Sequence, residues 1–156
     1  MNPAWIPLAV IALSVGPVQA APPQSPLLVG VLHEFVKTAE ATDSAAFSAL
    51  FVRDASITDT LAPYHWQGPG SAEHYHADLQ AALKSLGWQG THLAFMDDPF
   101  VVAGGGYAYA SLPLRMEYRV NDSRREDEGI FTLSLRHDAD RWRITSATWT
   151  YTKPPS

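Results

Sequence analysis

The chain contains no cysteine. Disulfides, thiolate metal sites and cysteine nucleophiles are therefore excluded, and the fold is held by its core alone. Basic side chains are also scarce. Eleven Lys and Arg stand against 16 Asp and Glu, a formal net charge of −5. Nothing in that balance draws in a phosphate backbone, so nucleic acid is not expected as a partner. The one basic pair, Arg124-Arg125, runs straight into Glu126, Asp127 and Glu128, which reads as a solvated hairpin tip. Long apolar runs are missing too. The stretch over 6–18 is broken by Pro7, Ser14, Gly16 and Pro17 and is too short for a membrane span. It closes on Val18-Gln19-Ala20, a small-x-small pattern, before a Pro-rich segment. These features predict a signal peptide over 1–20, a linker over 21–26, a single domain over 27–152 and a tail over 153–156. The first segment carries no Lys or Arg, the one departure from the usual pattern. The expected location is the periplasm or the medium, with no span left after cleavage.

Apolar residues then recur at helical spacing. Leu28, Val31, Leu32, Phe35, Val36 and Ala39 form one stripe. Asp43 is placed to cap a shorter helix, with Ala46, Phe47, Leu50 and Phe51 on its inner face. A third helix is expected over 71–86, with Ala72, Tyr75, Leu79, Ala82, Leu83 and Leu86 on one side and Gly87 as its stop. From Thr91 the period changes to two, predicting strands over 91–96, 100–103, 107–120, 129–137 and 142–152. Pro113 marks a bulge or an edge in the longest of them. Helices followed by an antiparallel meander make an α+β fold, three helices packed on a strongly bent sheet.

The chemistry concentrates between Ala55 and Gly70. Asp59 ends a short strand, and Tyr64, His65 and Trp66 follow in a Pro-interrupted loop. Asp59 reads either as a pocket base or as the anchor of the 60–63 turn. His65 is either its proton partner or an exposed loop histidine. Tyr64 and Trp66 suit the rim of a cavity, with packing under Gly68 as the rival for Trp66. Tyr75 lies on the inner side of the third helix. Tyr118 is the polar handle on the face shared by Ala108, Ala110, Leu112, Leu114 and Met116, a ligand contact or a core residue. His74 and His76 are two apart and cannot share a helix face, so no metal site is expected. Trp142 and Ile144 read as core, leaving Trp149 and Tyr151 as an exposed aromatic pair and a surface for a homodimer through the sheet face.

The order of these pieces is similar to that of the NTF2-like superfamily, in its SnoaL-like and ketosteroid-isomerase-like branch. The residues that carry the likeness are Phe35-Val36 with Ala41-Thr42-Asp43, and Ala49-Leu50-Phe51 with the segment from Asp54 to Asp59. Trp66-Gln67-Gly68 and Asp140-Arg141-Trp142-Arg143-Ile144 complete it. The resemblance implies a conical pocket and places Asp59 where ketosteroid isomerases keep their general base. It also implies two oxyanion donors, a helix Tyr and a sheet acid, at positions filled here by Phe35 and by Phe131 or its neighbours. Losing one such donor costs about 2.7–4 kcal/mol of transition-state stabilisation, so steroid isomerisation by that route is disfavoured. Phe35 and Phe131 are then expected as apolar pocket residues. The expected function is binding of a small hydrophobic molecule without a cofactor. The alternatives are a cofactor-independent isomerase, cyclase or dehydratase using Asp59, and a non-catalytic dimerisation domain.

Overall fold

The computed structural model describes residues 25–155; the expected signal peptide and nearly all of the linker lie outside the described residues. Three helices, α1 (Pro26–Glu40), α2 (Ser44–Ser48) and α3 (Ser71–Ser85), pack with seven strands. The strands are β1 (Phe51–Thr58), β2 (His65–Gln67), β3 (Gln89–Phe95), β4 (Phe100–Gly104), β5 (Tyr107–Val120), β6 (Ser123–Asp138) and β7 (Arg141–Tyr151). They form one sheet in the order β2-β1-β7-β6-β5-β3, with β4 on the other half of β5. β1 runs parallel to β7, and every other pair is antiparallel. This is the α+β arrangement the sequence predicts. Among the described residues no helix is long and apolar enough to cross a membrane.

The helical stripes are buried where the spacing puts them. Leu28, Leu32 and Phe35 of α1 are fully enclosed, and Pro26 occupies the first turn, where its missing N–H costs nothing. Asp43 caps α2, accepting from the backbone N–H groups of Ala45 and Ala46. That helix is shorter than expected. Phe51 belongs to β1, because the chain joins β7 there: the Ile144 N–H donates to the Leu50 carbonyl at 2.9 Å. Ala46 is accordingly exposed rather than on an inner face. Gly87 follows α3 at φ 71°, a backbone angle that favours glycine.

Three differences from the sequence reading have local causes. The charge run after Arg124 is not a hairpin tip. The reversal lies where the turn residues Asn121 and Asp122 predict it, at φ 49° and 62°, but β6 begins at once at Ser123 rather than at Gly129. The charges then pair across the strands, Arg124 with Glu117 at 2.7 Å and Arg115 with Glu126 at 3.0 Å. Asp127 points inward and is buried. Second, the inner face of β7 changes phase. Leu135 pairs with Ile144 but Ser134 pairs with Ser146, leaving Thr145 as an extra residue in a β-bulge. The face that begins with Ile144 continues through Ala147, Trp149 and Tyr151, so Trp149 is buried and Tyr151 half-buried. The expected exposed pair on β7 is thus inside. Third, Pro113 is neither a bulge nor an edge. It lies in mid-β5 where the partner changes from β4 to β3, and its carbonyl accepts the Met96 N–H at 3.0 Å. A residue without a donor fits at that changeover.

Candidate functional site

A cavity of about 470 Å³ lies between α3 and the inner face of the sheet. The α3 wall is a stripe at spacings of three and four: Tyr75, Leu79, Ala82, Leu83 and Leu86. Leu93, Met116, Phe131 and Trp149 make the sheet wall. Leu93 is paired with Met116, and Phe131 with Trp149, so neighbouring strands present side chains at the same level. Phe47, Trp88, Tyr151 and Pro155 close other sides, and Asp59, Thr60 and Leu61 enter from the loop after β1. Gly129 makes the arrangement of Trp149 possible. A Cβ there would overlap the indole ring, which occupies the space a side chain would fill.

Asp59 is the carboxylate of this wall. Its Oδ2 accepts from the Tyr75 hydroxyl at 2.7 Å. Its Oδ1 accepts from the Leu61 N–H at 3.0 Å and the Thr60 hydroxyl at 3.2 Å. The loop closes behind it through the Asp59 N–H and the Tyr64 carbonyl at 3.2 Å. Asp59 is therefore a turn anchor and a cavity group at once. Burial pushes the Tyr75 phenol well above its ordinary pKa, and the charge and hydrogen bond of Asp59 push it further. Tyr75 keeps its proton and donates. The Tyr151 phenol is also pushed up, by burial first and then by Asp127 and Asp59.

The other residues singled out in the sequence are dispersed. His65 is exposed on β2, with its ring nitrogens 3.4 Å from the Thr58 hydroxyl and 3.4 Å from the Gln67 amide oxygen, and not against Asp59. Tyr64 is exposed and does not line the cavity. Trp66 forms a layer behind it: its ring packs edge-on against Tyr75 at 5.0 Å and its Nε1 donates to Asp78 at 2.8 Å. Phe35 lies deeper still, edge-on against Phe131 with ring centroids 4.9 Å apart. Tyr118 donates to the buried Asp127 at 2.7 Å and stacks on Trp88 at 3.6 Å, again outside the cavity wall. Of the sequence candidates, Asp59, Tyr75 and Phe131 meet in the cavity. The two positions where the family resemblance implies donors hold phenyl rings packed on each other.

Met116 lines the cavity from the β5 face that the sequence reading took as pocket-lining, whereas Trp88, Trp149 and Tyr151 were missed as parts of the wall. Their signal was present only as an aromatic pair two apart in β7 and a Trp directly after a helix stop. Among the described residues, no Lys, Arg or His lines the cavity or ion-pairs with Asp59. Nor is any group of three or more metal-ligating side chains brought together among them. Asp78 is engaged by Trp66, and His76 is buried against Ser44 at 2.9 Å.

No protein-family model and no curated protein matches the sequence. Solved structures do match in three dimensions. An NTF2-like superfamily protein from Salmonella enterica superposes with a TM-score of 0.66 at 14% identity, over 83% of this chain and 91% of that one. An NTF2-like protein with a cystatin-like fold from Novosphingobium aromaticivorans gives 0.67 at 15% identity, over 83% and 82%. A hexachlorocyclohexane dehydrochlorinase from Novosphingobium barchaimii gives 0.67 at 9% identity, over 83% and 88%. At these identities the likeness concerns the backbone and not the site. A bent mixed sheet with helices on its inner face, in this strand order and matched over most of both chains, is the NTF2-like, cystatin-like fold, and this chain has it.

Proposed function

We propose that the protein binds a small, mostly apolar molecule in the cavity beneath α3, with no assigned reaction. The observation that carries this reading is the cavity itself. At about 470 Å³ it falls within the range of roughly 300–1,000 Å³ typical of ligand pockets. Its wall is aliphatic and aromatic apart from one carboxylate and a few hydroxyls. The test is binding of a neutral fluorescent probe, N-phenyl-1-naphthylamine. Its emission should rise on binding, and the rise should vanish in Ala82→Trp, which fills the cavity from α3. An equal rise in both proteins would move binding elsewhere and end the proposal.

A second reading is favoured by one contact. Asp59 and Tyr75, 2.7 Å apart on the cavity wall, are a carboxylate and a protonated phenol of the kind that moves a proton in a cofactor-independent isomerase, cyclase or dehydratase. Tyr75 replaces His65 as the partner in that scheme. One structural neighbour is named a dehydrochlorinase. With phenyl rings at 35 and 131, enolate stabilisation of the steroid-isomerase kind has no donor there. In this reading Asp59→Asn abolishes turnover while ligand is still bound.

Export and dimerisation belong to the same proposal. The outward face of β4 and β5 exposes Phe100, Val102, Tyr107 and Tyr109, with Val102 paired to Tyr109. A homodimer through the sheet face would cover them, and the same surface would serve a purely dimerising domain. Native mass spectrometry of protein recovered from the periplasm or medium reads the oligomer, the N-terminus and any retained ligand together.

A further inference from the structure

The cavity wall is unusual in what it combines. Six aromatic residues line it: Phe47, Tyr75, Trp88, Phe131, Trp149 and Tyr151. They fall into two groups, Phe131–Trp149–Tyr151 and Phe47–Tyr75, with Trp88 stacked outside them on Tyr118. Phe131 and Trp149 are 4.9 Å apart, Trp149 and Tyr151 5.4 Å apart and nearly perpendicular, and Phe47 and Tyr75 6.0 Å apart. An aromatic ring carries negative charge on its face and attracts a cation placed there, with Trp the strongest. The same wall holds the Asp59 carboxylate. Its three donors, the Tyr75 hydroxyl, the Leu61 N–H and the Thr60 hydroxyl, are all neutral. They orient the carboxylate without cancelling its charge. Two oxygens offer about four acceptor positions, so one remains for an alkylammonium N–H, while a quaternary ammonium meets the carboxylate through charge alone.

Resting on the binding reading above and deepening it, we infer that the cavity selects organic cations, of the alkylammonium or quaternary ammonium class, over neutral and anionic molecules of the same shape. A neutral occupant would strip water from Asp59 and give nothing back, which is unfavourable for a charge. An anion would meet that charge directly, with no Lys, Arg or His among the described residues of the wall to offset it. A cation supplies the missing counter-charge and is drawn to the aromatic wall as well. A second carboxylate acts on the same region, since Asp127 as well as Asp59 raises the pKa of the Tyr151 phenol on the cavity wall. The formal net charge of −5 favours approach of cations over anions before contact.

The experiment uses an isosteric pair, benzyltrimethylammonium and neopentylbenzene, which differ only in a charged nitrogen for a carbon. Each displaces N-phenyl-1-naphthylamine from the full mature chain. The cation should bind at least about tenfold more tightly, the size expected of desolvated cation–ring and carboxylate contacts. In Asp59→Asn the preference for the cation should fall to within about threefold. Trp149→Leu, which keeps the wall apolar, should lower the cation's affinity more than the neutral compound's and stands in if the Asp59 variant does not fold. Equal binding of the pair overturns the cation inference and leaves the pocket reading intact. Binding of neither overturns both. An unchanged preference in both variants overturns the assignment to Asp59 and the rings.

Discussion

The Tyr75 hydroxyl donates to Asp59 Oδ2 at 2.7 Å, tying the first half of α3 to the residue just past β1. It is a side-chain hydrogen bond between two wall residues, one on α3 and one in the loop after β1. Asp59 is half-buried and charged, so removing the donor leaves an oxygen that water can partly serve. Tyr75→Phe should therefore cost about 1.5 kcal/mol, the lower end for hydrogen bonds to charged groups. Urea unfolding with an unchanged m-value checks it.

Asp59 itself separates structure from site. Asp59→Asn keeps an acceptor for the Leu61 N–H and the Thr60 hydroxyl, whereas Asp59→Ala removes both. The Ala variant should lose about 1–2 kcal/mol, as expected when a backbone N–H loses a side-chain cap. The Asn variant spares those two contacts and should lose less, about 0.5–1 kcal/mol, for exchanging the charged acceptor of the Tyr75 hydroxyl for an amide. Thermal melts of the two side by side decide it. Equal melting points would mean that the turn is held by the Tyr64–Leu61 and Asp59–Tyr64 backbone bonds alone.

Periodicity carried most of the architecture, and the reason is visible in particular residues. Leu28, Leu32 and Phe35 recur every three or four positions because one side of α1 is buried, and β5 shows its whole length because its inner residues alternate without interruption. The failures come where a local event breaks the period. One unpaired residue, Thr145, turns Trp149 from the outside to the inside. Charges paired across β5 and β6 hide a strand whose outward side chains all look like loop. The site was harder. Asp59, Tyr75 and Phe131 lie 16 and 56 positions further along in turn, and a cavity is defined by where side chains are absent. Nothing local distinguishes Trp66, which packs behind Tyr75, from Trp88, which faces the space.

His76 gives the fold a pH dependence. Its ring is buried between α2 and α3, stacked on Phe47 with centroids 4.7 Å apart and bonded to the Ser44 hydroxyl. Burial lowers its pKa below the usual 6.5, against the opposing pull of the Ala39, Thr38 and Ala41 carbonyls and Asp43. The unfolded chain then takes up its proton first as pH falls. The contribution of His76 is complete above about pH 6.5 and is lost progressively below it. Denaturant midpoints between pH 7.5 and 5.5 should fall in the parent chain and fall less in His76→Gln. Parallel curves for the two would assign the slope to other groups.

Gly129→Ala tests the packing that shapes the cavity. In most strands this change is neutral or favourable, since alanine restricts the unfolded chain, an effect of about 0.4–1 kcal/mol. Gly129 has an ordinary strand backbone, so its φ poses no obstacle. The obstacle is occupied space. A Cβ would overlap the Trp149 ring and come within 2.8 Å of the Thr150 carbonyl. The backbone cannot retreat, because Gly129 is paired with Leu114 on one side and Tyr151 on the other. The indole must move instead, and the open direction is the cavity it lines. The substitution should cost about 1–3 kcal/mol, typical of overpacking. It should also reduce probe binding, change the near-ultraviolet circular dichroism of the tryptophans and leave the far-ultraviolet spectrum intact. A gain in stability with unchanged probe binding would mean that Trp149 has room elsewhere, and that the cavity is not shaped by the missing side chain at position 129.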